Sequence, residues 1–209
     1  MAEASKRSSC PLAAAALDPN NQMPAPNQRP AEDQKLPLST QRVSSTIPNA
    51  TQDGQTWVYP SPQMFYNAMK RKGFDPKEEE MRTVVAIHNT VNERTWREIL
   101  LWEGLHPECT QERKLIRFGG KPDEPTLKAR IYAWLGYKAP FDRHDWVVSR
   151  CGKEVRYLID YYNGKAVMSK PVAMHIDARP AGDDLGGVWD RIRMPLLRLW
   201  YAGRFDRTD

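Results

Sequence analysis

Trp146-Val147-Val148-Ser149-Arg150-Cys151-Gly152-Lys153-Glu154-Val155-Arg156-Tyr157-Leu158-Ile159-Asp160-Tyr161-Tyr162 is the stretch from which the fold is read. Trp146 to Arg150 and Glu154 to Tyr162 are rich in β-branched and aromatic residues, and Cys151-Gly152 sits between them as a tight turn. The segment therefore reads as a β-hairpin. In its second arm Val155, Tyr157, Ile159 and Tyr161 alternate, so one face is apolar and needs a cover.

The neighbouring sequence supplies more strands and that cover. Val172, Met174, Ile176 and Ala178 form a further alternating run, and Leu115 to Phe118 a possible fourth strand. Ser61-Pro62 is a helix start, with Ser as N-cap and Pro at the first position, and Gly73 is its stop. After the apolar segment Val84 to His88, Thr90-Val91-Asn92-Glu93 fits a capping box whose helix runs to about Leu105. A third helix is expected from Thr126, with Leu127, Ile131, Trp134 and Leu135 on one stripe. A last helix starts near Asp183 or Asp184, where Pro195 should introduce a kink. The expected fold class is α+β: a small antiparallel sheet of three to four strands packed with three to five helices.

The chain has 209 residues, which suits one domain and a tail. Its seven Trp, eight Tyr and five Phe all lie at or beyond Trp57. Residues 1–56 lack such side chains and hold Pro11, Pro19, Pro24, Pro26, Pro30, Pro37 and Pro48. Little apolar surface is then available to repay the entropy of ordering. The expectation is a disordered Pro-rich tail over 1–56 and a folded domain over 57–209. The formal charge of +5 sits in that domain, because the acids and bases of the tail cancel. A mildly basic domain suits an anionic membrane, a propionate-bearing ligand or nucleic acid, and selects none of them.

Several classes are disfavoured. No apolar run approaches the ~20 residues of a bilayer span. Leu12 to Leu17 is too short for a secretory core, and the tail shows no mitochondrial transit helix. No phosphate-binding glycine loop is present. Three cysteines at wide spacing (Cys10, Cys109, Cys151) argue against a disulfide framework and against a four-ligand zinc site. Near-balanced charge and the lack of a recognition motif make nucleic acid the weakest partner.

Individual residues carry chemistry only ambiguously. His88, between an apolar segment and a capped helix, is a candidate metal ligand or acid/base group, with a satisfied buried histidine as the plainer reading. Around His144, either Asp142 or Asp145 can orient the ring, and Arg143 can pair with an anion. Trp57 and Tyr59 can stack on a planar ligand or simply pack in a core. Glu93 reads as the far end of a capping box, and Arg150 as a strand-flanking cation. Cys10-Pro11 is a haem-regulatory type of dipeptide.

In order, these pieces become specific. Trp57-Val58-Tyr59-Pro60-Ser61-Pro62-Gln63-Met64-Phe65-Tyr66-Asn67-Ala68-Met69, Ile87-His88-Asn89 with Asn92-Glu93, and Leu115-Ile116-Arg117-Phe118-Gly119-Gly120-Lys121 come first. Pro140-Phe141-Asp142-Arg143-His144-Asp145-Trp146, Arg150-Cys151-Gly152 and Val188-Trp189-Asp190-Arg191 follow. This series closely resembles the holocytochrome c synthase (cytochrome c haem lyase) family over essentially all of 57–209.

The resemblance implies a lyase of cytochrome c maturation in the mitochondrial intermembrane space, peripheral on the inner membrane. Its substrates would be haem b and apocytochrome c, with cytochrome c1 left open. Thioether bonds would join the haem vinyl groups to the thiols of a Cys-x-x-Cys-His motif. By the same resemblance His88 is the axial ligand of the haem iron, and His88, Glu93, His144 and Arg150 form the catalytic set. Trp57, Tyr59, Asn89, Arg143 and Cys10 join His88 as haem contacts, and Arg143, Arg150 and Lys121 are candidate propionate partners. A non-catalytic haem-binding or haem-delivery module is the alternative. The basic, partly amphipathic segment Arg191 to Arg204 can rest on an anionic membrane or face the core.

Overall fold

The computed structural model describes Asp18 and residues 27–164 and 174–205. Cys10 and Val172, which figure in the sequence reading, lie outside these residues.

The hairpin is present. Strands β4 (Asp142–Arg150) and β5 (Lys153–Asn163) pair antiparallel from Asp142↔Tyr161 to Arg150↔Lys153. Cys151 and Gly152 both have positive φ, 47° and 73°, as a two-residue turn matched to strand twist requires. β3 (Lys114–Gly120) flanks β4, and β6 (Met174–Pro180) flanks β5. The result is a four-stranded antiparallel meander, order β3-β4-β5-β6.

Side-chain alternation gives the sheet two distinct faces. On the inner face Trp146, Val148, Tyr157, Ile159, Tyr161 and Ile176 form the core with Ile47, Trp96, Ile99 and Leu115. Helix α2 (Met81–Glu103) lies on this face and buries Met81, Val85, Thr95, Trp96, Ile99 and Glu103. Burial of large apolar side chains such as these contributes about 1.5–3 kcal/mol each. On the outer face lies the short helix α3 (Leu127–Trp134), N-capped by Thr126, whose side chain accepts from Ala129 N. Thr126 also donates to Asp160 Oδ2 at 2.7 Å, and Arg179 donates to the same oxygen at 2.6 Å. Helix α1 (Pro62–Arg71), capped by Ser61 as expected, packs beside α2. Helix α4 (Leu185–Phe205) contains Pro195 and packs along β6. The α+β reading and its strand and helix numbers hold.

Four local expectations are corrected. The boundary at 56/57 falls inside an antiparallel pair, β1 (Ser44–Pro48) with β2 (Thr56–Val58). Ile47 is 2% exposed and Asn49 bridges to Leu115, so the lower part of the expected tail belongs to the core. Burial of Ile47, backbone pairing and the Glu93 carboxylate on Thr46 hold it there, without aromatics of its own.

No helix begins at Thr90. Helix α2 runs through it, and the Thr90 hydroxyl donates back to Ala86 O, four residues earlier, at 2.9 Å. Met81 and Val85 extend the buried stripe backward, to about two and a half turns before Thr90, which overrides the capping pattern.

Cys109 and Cys151 form a disulfide across 42 residues. An odd cysteine count does not prevent one pair when the chain brings two turns together.

The apolar stripe of α3 faces solvent instead of the core. Ile131 is 49%, Leu135 55% and Trp134 85% exposed, and Ala129 is the buried residue of the helix.

Candidate functional site

The meeting point of α1, α2 and the inner end of the sheet gathers most of the predicted residues. His88 projects from α2 with Asn89 and Asn92. Its Nδ1 lies 3.2 Å from Asn89 Oδ1, and Asn92 Nδ2 lies 3.2 Å from its Nε2. Asn92 Nδ2 also donates to His88 O at 2.8 Å, which fixes which end of that amide faces the ring. A neutral imidazole protonated on Nδ1 satisfies both contacts. Nδ1–H donates to Asn89, and the Nε2 lone pair accepts from Asn92. Phe65 of α1 and Tyr59 stand edge-on to the ring at 5.0 and 6.0 Å. Burial pushes the imidazole pKa below its ordinary value against the opposing Asn89 contact, and His144 pushes the same way. His88 is thus a neutral base with Nε2 as its available donor atom.

His144 reaches the same place from β4. Its ring is edge-on to Tyr161 at 5.6 Å, and its Nδ1 is 3.4 Å from Asp142 Oδ2. That nitrogen is buried without a hydrogen-bond partner. Burial lowers the His144 pKa, Asp142 opposes, and Lys72 at the end of α1 lowers it further. Lys72 has no ion-pair partner among the described residues. Opposite His144, a Cβ on Gly120 would come within 3.3 Å of its Nε2, so the missing side chain makes room for the ring.

Glu93 has a different task from the expected capping. Its carboxylate accepts from Thr46 N at 3.0 Å, from the Thr46 hydroxyl and from Tyr59 OH at 2.9 Å. Burial raises its pKa, but these bonds and Arg97 outweigh it, so the net shift is downward. Glu93 is an ionised tie between α2 and the N-terminal strand. Tyr59 is buried, and its hydroxyl is pushed well above the usual range by burial and by Glu93. Trp57 donates from Nε1 to Leu115 O at 3.1 Å and meets Phe118 edge-on at 5.2 Å. It packs at the rim of the core.

Two predicted residues lie elsewhere. Arg143 alternates to the outer face, where it donates to Asp145 Oδ1 at 2.9 Å and to Glu124 O. Arg150 shares the inner face with His144 but stands six residues along β4, about 20 Å away at strand rise. Its guanidinium bonds Glu103 Oε1 at 2.9 Å, Asp190 Oδ2 at 2.9 Å and Tyr157 OH at 3.0 Å. Glu103 and Asp190 are fully buried, and His106 Nε2 joins Asp190 Oδ1 at 2.9 Å. Glu103 continues the buried Trp96/Ile99 stripe of α2, and an acid on such a stripe is the sequence signal for this cluster. Lys121, the third candidate for a propionate, pairs with Glu124 at 3.2 Å.

This arrangement can coordinate a transition metal through one neutral imidazole. The Asn89 contact orients the ring and raises its basicity. Aromatic rings flank it, the His144 imidazole is close enough to lower its pKa, and one cation, Lys72, acts on His144.

The family model for cytochrome c/c1 heme lyase matches residues 2–194. The chain is 53% identical to a holocytochrome c-type synthase of Gallus gallus over 188 residues, 87% of this chain and 68% of the relative. It is 48% identical to a putative holocytochrome-c1 synthase of Schizosaccharomyces pombe over 161 residues, 74% of each. A holocytochrome-c synthase of Saccharomyces cerevisiae is 36% identical over 209 residues, 88% of this chain and 77% of the relative. No solved structure matches the chain.

Proposed function

From the premise that the chain belongs to the cytochrome c/c1 haem lyase family, and so attaches haem to apocytochrome c, we propose that His88 holds the haem during transfer. The observation that carries this reading is the neutral His88 ring with Nδ1–H engaged by Asn89 and Nε2 directed at a weak amide donor. Binding of haem iron at Nε2 displaces only that amide.

The chain's own residues then do the positioning. His88 fixes the iron from one side, and Phe65 and Tyr59 hold the imidazole upright. The opposite axial position is left for the histidine of the substrate's Cys-x-x-Cys-His motif. That ligation brings the two thiols beside the vinyl groups of haem b, so orientation supplies a large part of the rate. Each thioether forms by adding a thiol S–H across a vinyl C=C, which needs no net oxidant. Lys72 is the cation placed to meet a propionate, in the role earlier assigned to Arg143, Arg150 and Lys121. Glu93 supports the haem side by tying β1 and Tyr59 to α2, and Trp57 by anchoring β2 on β3. His144, with its unpartnered Nδ1, faces the haem from the sheet.

The working location is the mitochondrial intermembrane space, with the protein peripheral on the inner membrane. No helix among the described residues is long and apolar enough to cross a membrane. Cys10 is a dispensable haem contact in this reading, and both cytochrome c and cytochrome c1 are admissible substrates.

The test is co-expression with apocytochrome c, followed by acid–acetone extraction. Wild type should leave haem in the protein fraction, and His88→Ala should leave almost none. Covalent haem at undiminished yield from His88→Ala removes the ligand assignment.

A further inference from the structure

Residues 127–141 read Leu127-Lys128-Ala129-Arg130-Ile131-Tyr132-Ala133-Trp134-Leu135-Gly136-Tyr137-Lys138-Ala139-Pro140-Phe141. They comprise α3 and the connection to β4, on the sheet face opposite His88. The segment is anchored at one end by the Thr126–Asp160–Arg179 cluster and at Ala129, and displays nearly everything else. Trp134 is 85%, Leu127 72%, Tyr137 67% and Leu135 55% exposed. Ile131 and Phe141 extend the same display. So dense an apolar surface on a folded domain marks a contact site.

Charge and side-chain type decide what the contact is. The segment contains Lys128, Arg130 and Lys138 and no acid. Lys128 pairs with Asp177 at 2.6 Å, whereas Arg130 and Lys138 have no carboxylate within 4.0 Å among the described residues. Exposed Trp and Tyr beside Leu and Ile, bordered by cations of a single sign, match the headgroup–acyl boundary of a bilayer. A partner protein with mixed surface charge would call for mixed charge here. Beside the helix, Tyr132, Tyr137, Lys138, Tyr162 and His175 line a shallow cavity of about 450 Å³, together with the Lys128–Asp177 ion pair, in which Lys128 neutralises the carboxylate. The Tyr162 hydroxyl at its wall is buried without a hydrogen-bond partner among the described residues.

We infer that residues 127–141 are the surface by which this protein docks on a membrane of anionic phospholipid. Trp134, Leu135 and Leu127 enter the interface, Arg130 and Lys138 meet lipid phosphates, and the tyrosine-lined cavity takes one headgroup. The inference rests on the peripheral membrane contact proposed above and names the face that makes it. Docking through the outer face leaves α2 and His88, on the inner face, turned away from the bilayer.

The test is flotation of the full chain with phosphatidylcholine vesicles, with and without phosphatidylserine. Wild type should float with the anionic vesicles and lose that binding at high salt. Trp134→Glu with Leu135→Glu should abolish flotation, and each of Arg130→Gln and Lys138→Gln should lower partition about fivefold. All four changes should leave covalent haem transfer in vesicle-free solution unchanged, which also reports that the variants fold. Absence of wild-type flotation overturns the membrane contact itself. Undiminished flotation of the Trp134/Leu135 variant overturns the assignment to this surface while membrane contact stands. A wild-type dimer that this variant splits, with flotation intact, makes the surface a contact between copies. Lost transfer with intact flotation makes it a substrate surface. Either of these last two results also overturns the inference.

Discussion

Tyr59 donates its hydroxyl hydrogen to Glu93 Oε1 at 2.9 Å, joining the segment after β2 to the middle of α2, one helical turn beyond His88. The same carboxylate holds Thr46 of β1. The N-terminal strands are thereby fixed against the helix that carries the candidate haem ligand, and the Tyr59 ring is set against His88. Removing the carboxylate should loosen the strands and the His88 surroundings together. Glu93→Gln should lower stability by about 1.5–3 kcal/mol, the range for hydrogen bonds to a charged group. Because the Glu93 pKa is depressed on folding, its contribution is present above the unfolded value and lost as acidification passes below about 4.3. Chemical denaturation of wild type and Glu93→Gln from neutral pH downward should show the two curves converging in acid; parallel curves would contradict this role.

His88 and Asn89 give a prediction that separates ligand orientation from folding. Asn89→Ala removes the acceptor for Nδ1–H and should weaken haem binding about 10–100-fold, as loss of an orienting partner does at other metal ligands. Thermal stability should change little, since Asn89 sits at the half-buried edge of α2. Protonation of Nε2 blocks ligation, and burial lowers the His88 pKa, so haem should be released by acid with a midpoint below about 6.5. A haem titration followed by absorbance across pH measures both quantities. A release midpoint above the ordinary imidazole value would show that the ring is not the buried neutral base described here.

How much of this was readable beforehand depends on the range of each signal. The β4–β5 hairpin, the Ser61 cap, the helix start at Thr126 and the Gly73 stop are local chemistry, and they stand where the sequence puts them. The start of α2 was misplaced because a capping pattern at Thr90 looks the same inside a helix as at its end. Only the packing of Met81 and Val85 decides between them. The pairing of β1 with β2, the Cys109–Cys151 bond and the Arg150–Glu103–Asp190 cluster join residues far apart in sequence, which no local pattern reports. Within the candidate site, the order of blocks points to His88 on α2 and His144 on β4, whose charge is close enough to lower the His88 pKa. Arg143 and His144, adjacent in sequence, have different surroundings. Strand alternation sends adjacent side chains to opposite faces.

The disulfide yields a prediction from chain entropy. It closes a 42-residue separation, and the loop-closure relation assigns such a link about 4 kcal/mol through the unfolded state. Cys151→Ser and Cys109→Ser should each destabilise by up to that amount, and the double variant should cost no more than either single one. Wild type in reductant should approach the variants. Denaturation in the presence and absence of dithiothreitol is sufficient, and a wild-type midpoint insensitive to reductant would show that the bond contributes nothing.

Arg150 provides the sharpest division between support and chemistry. Its guanidinium neutralises Glu103 and Asp190, both fully buried, and hydrogen-bonds Tyr157, thereby joining the end of α2 to β4, β5 and α4. Arg150→Ala leaves two buried carboxylates without their cation, a change that costs about 3–5 kcal/mol in comparable pairs. Arg150→Lys restores the charge but cannot span both carboxylates and the tyrosine with a planar fork, so it should recover only part of the loss. Because the cluster lies about 20 Å along β4 from His144, the folded fraction of either variant should bind haem with wild-type affinity and spectrum. Denaturation measures the first effect, and haem titration at low temperature, where the variants remain folded, measures the second. A normal thermal midpoint combined with lost haem binding would move Arg150 back into the haem site, and would require the guanidinium to leave its two carboxylates when haem enters.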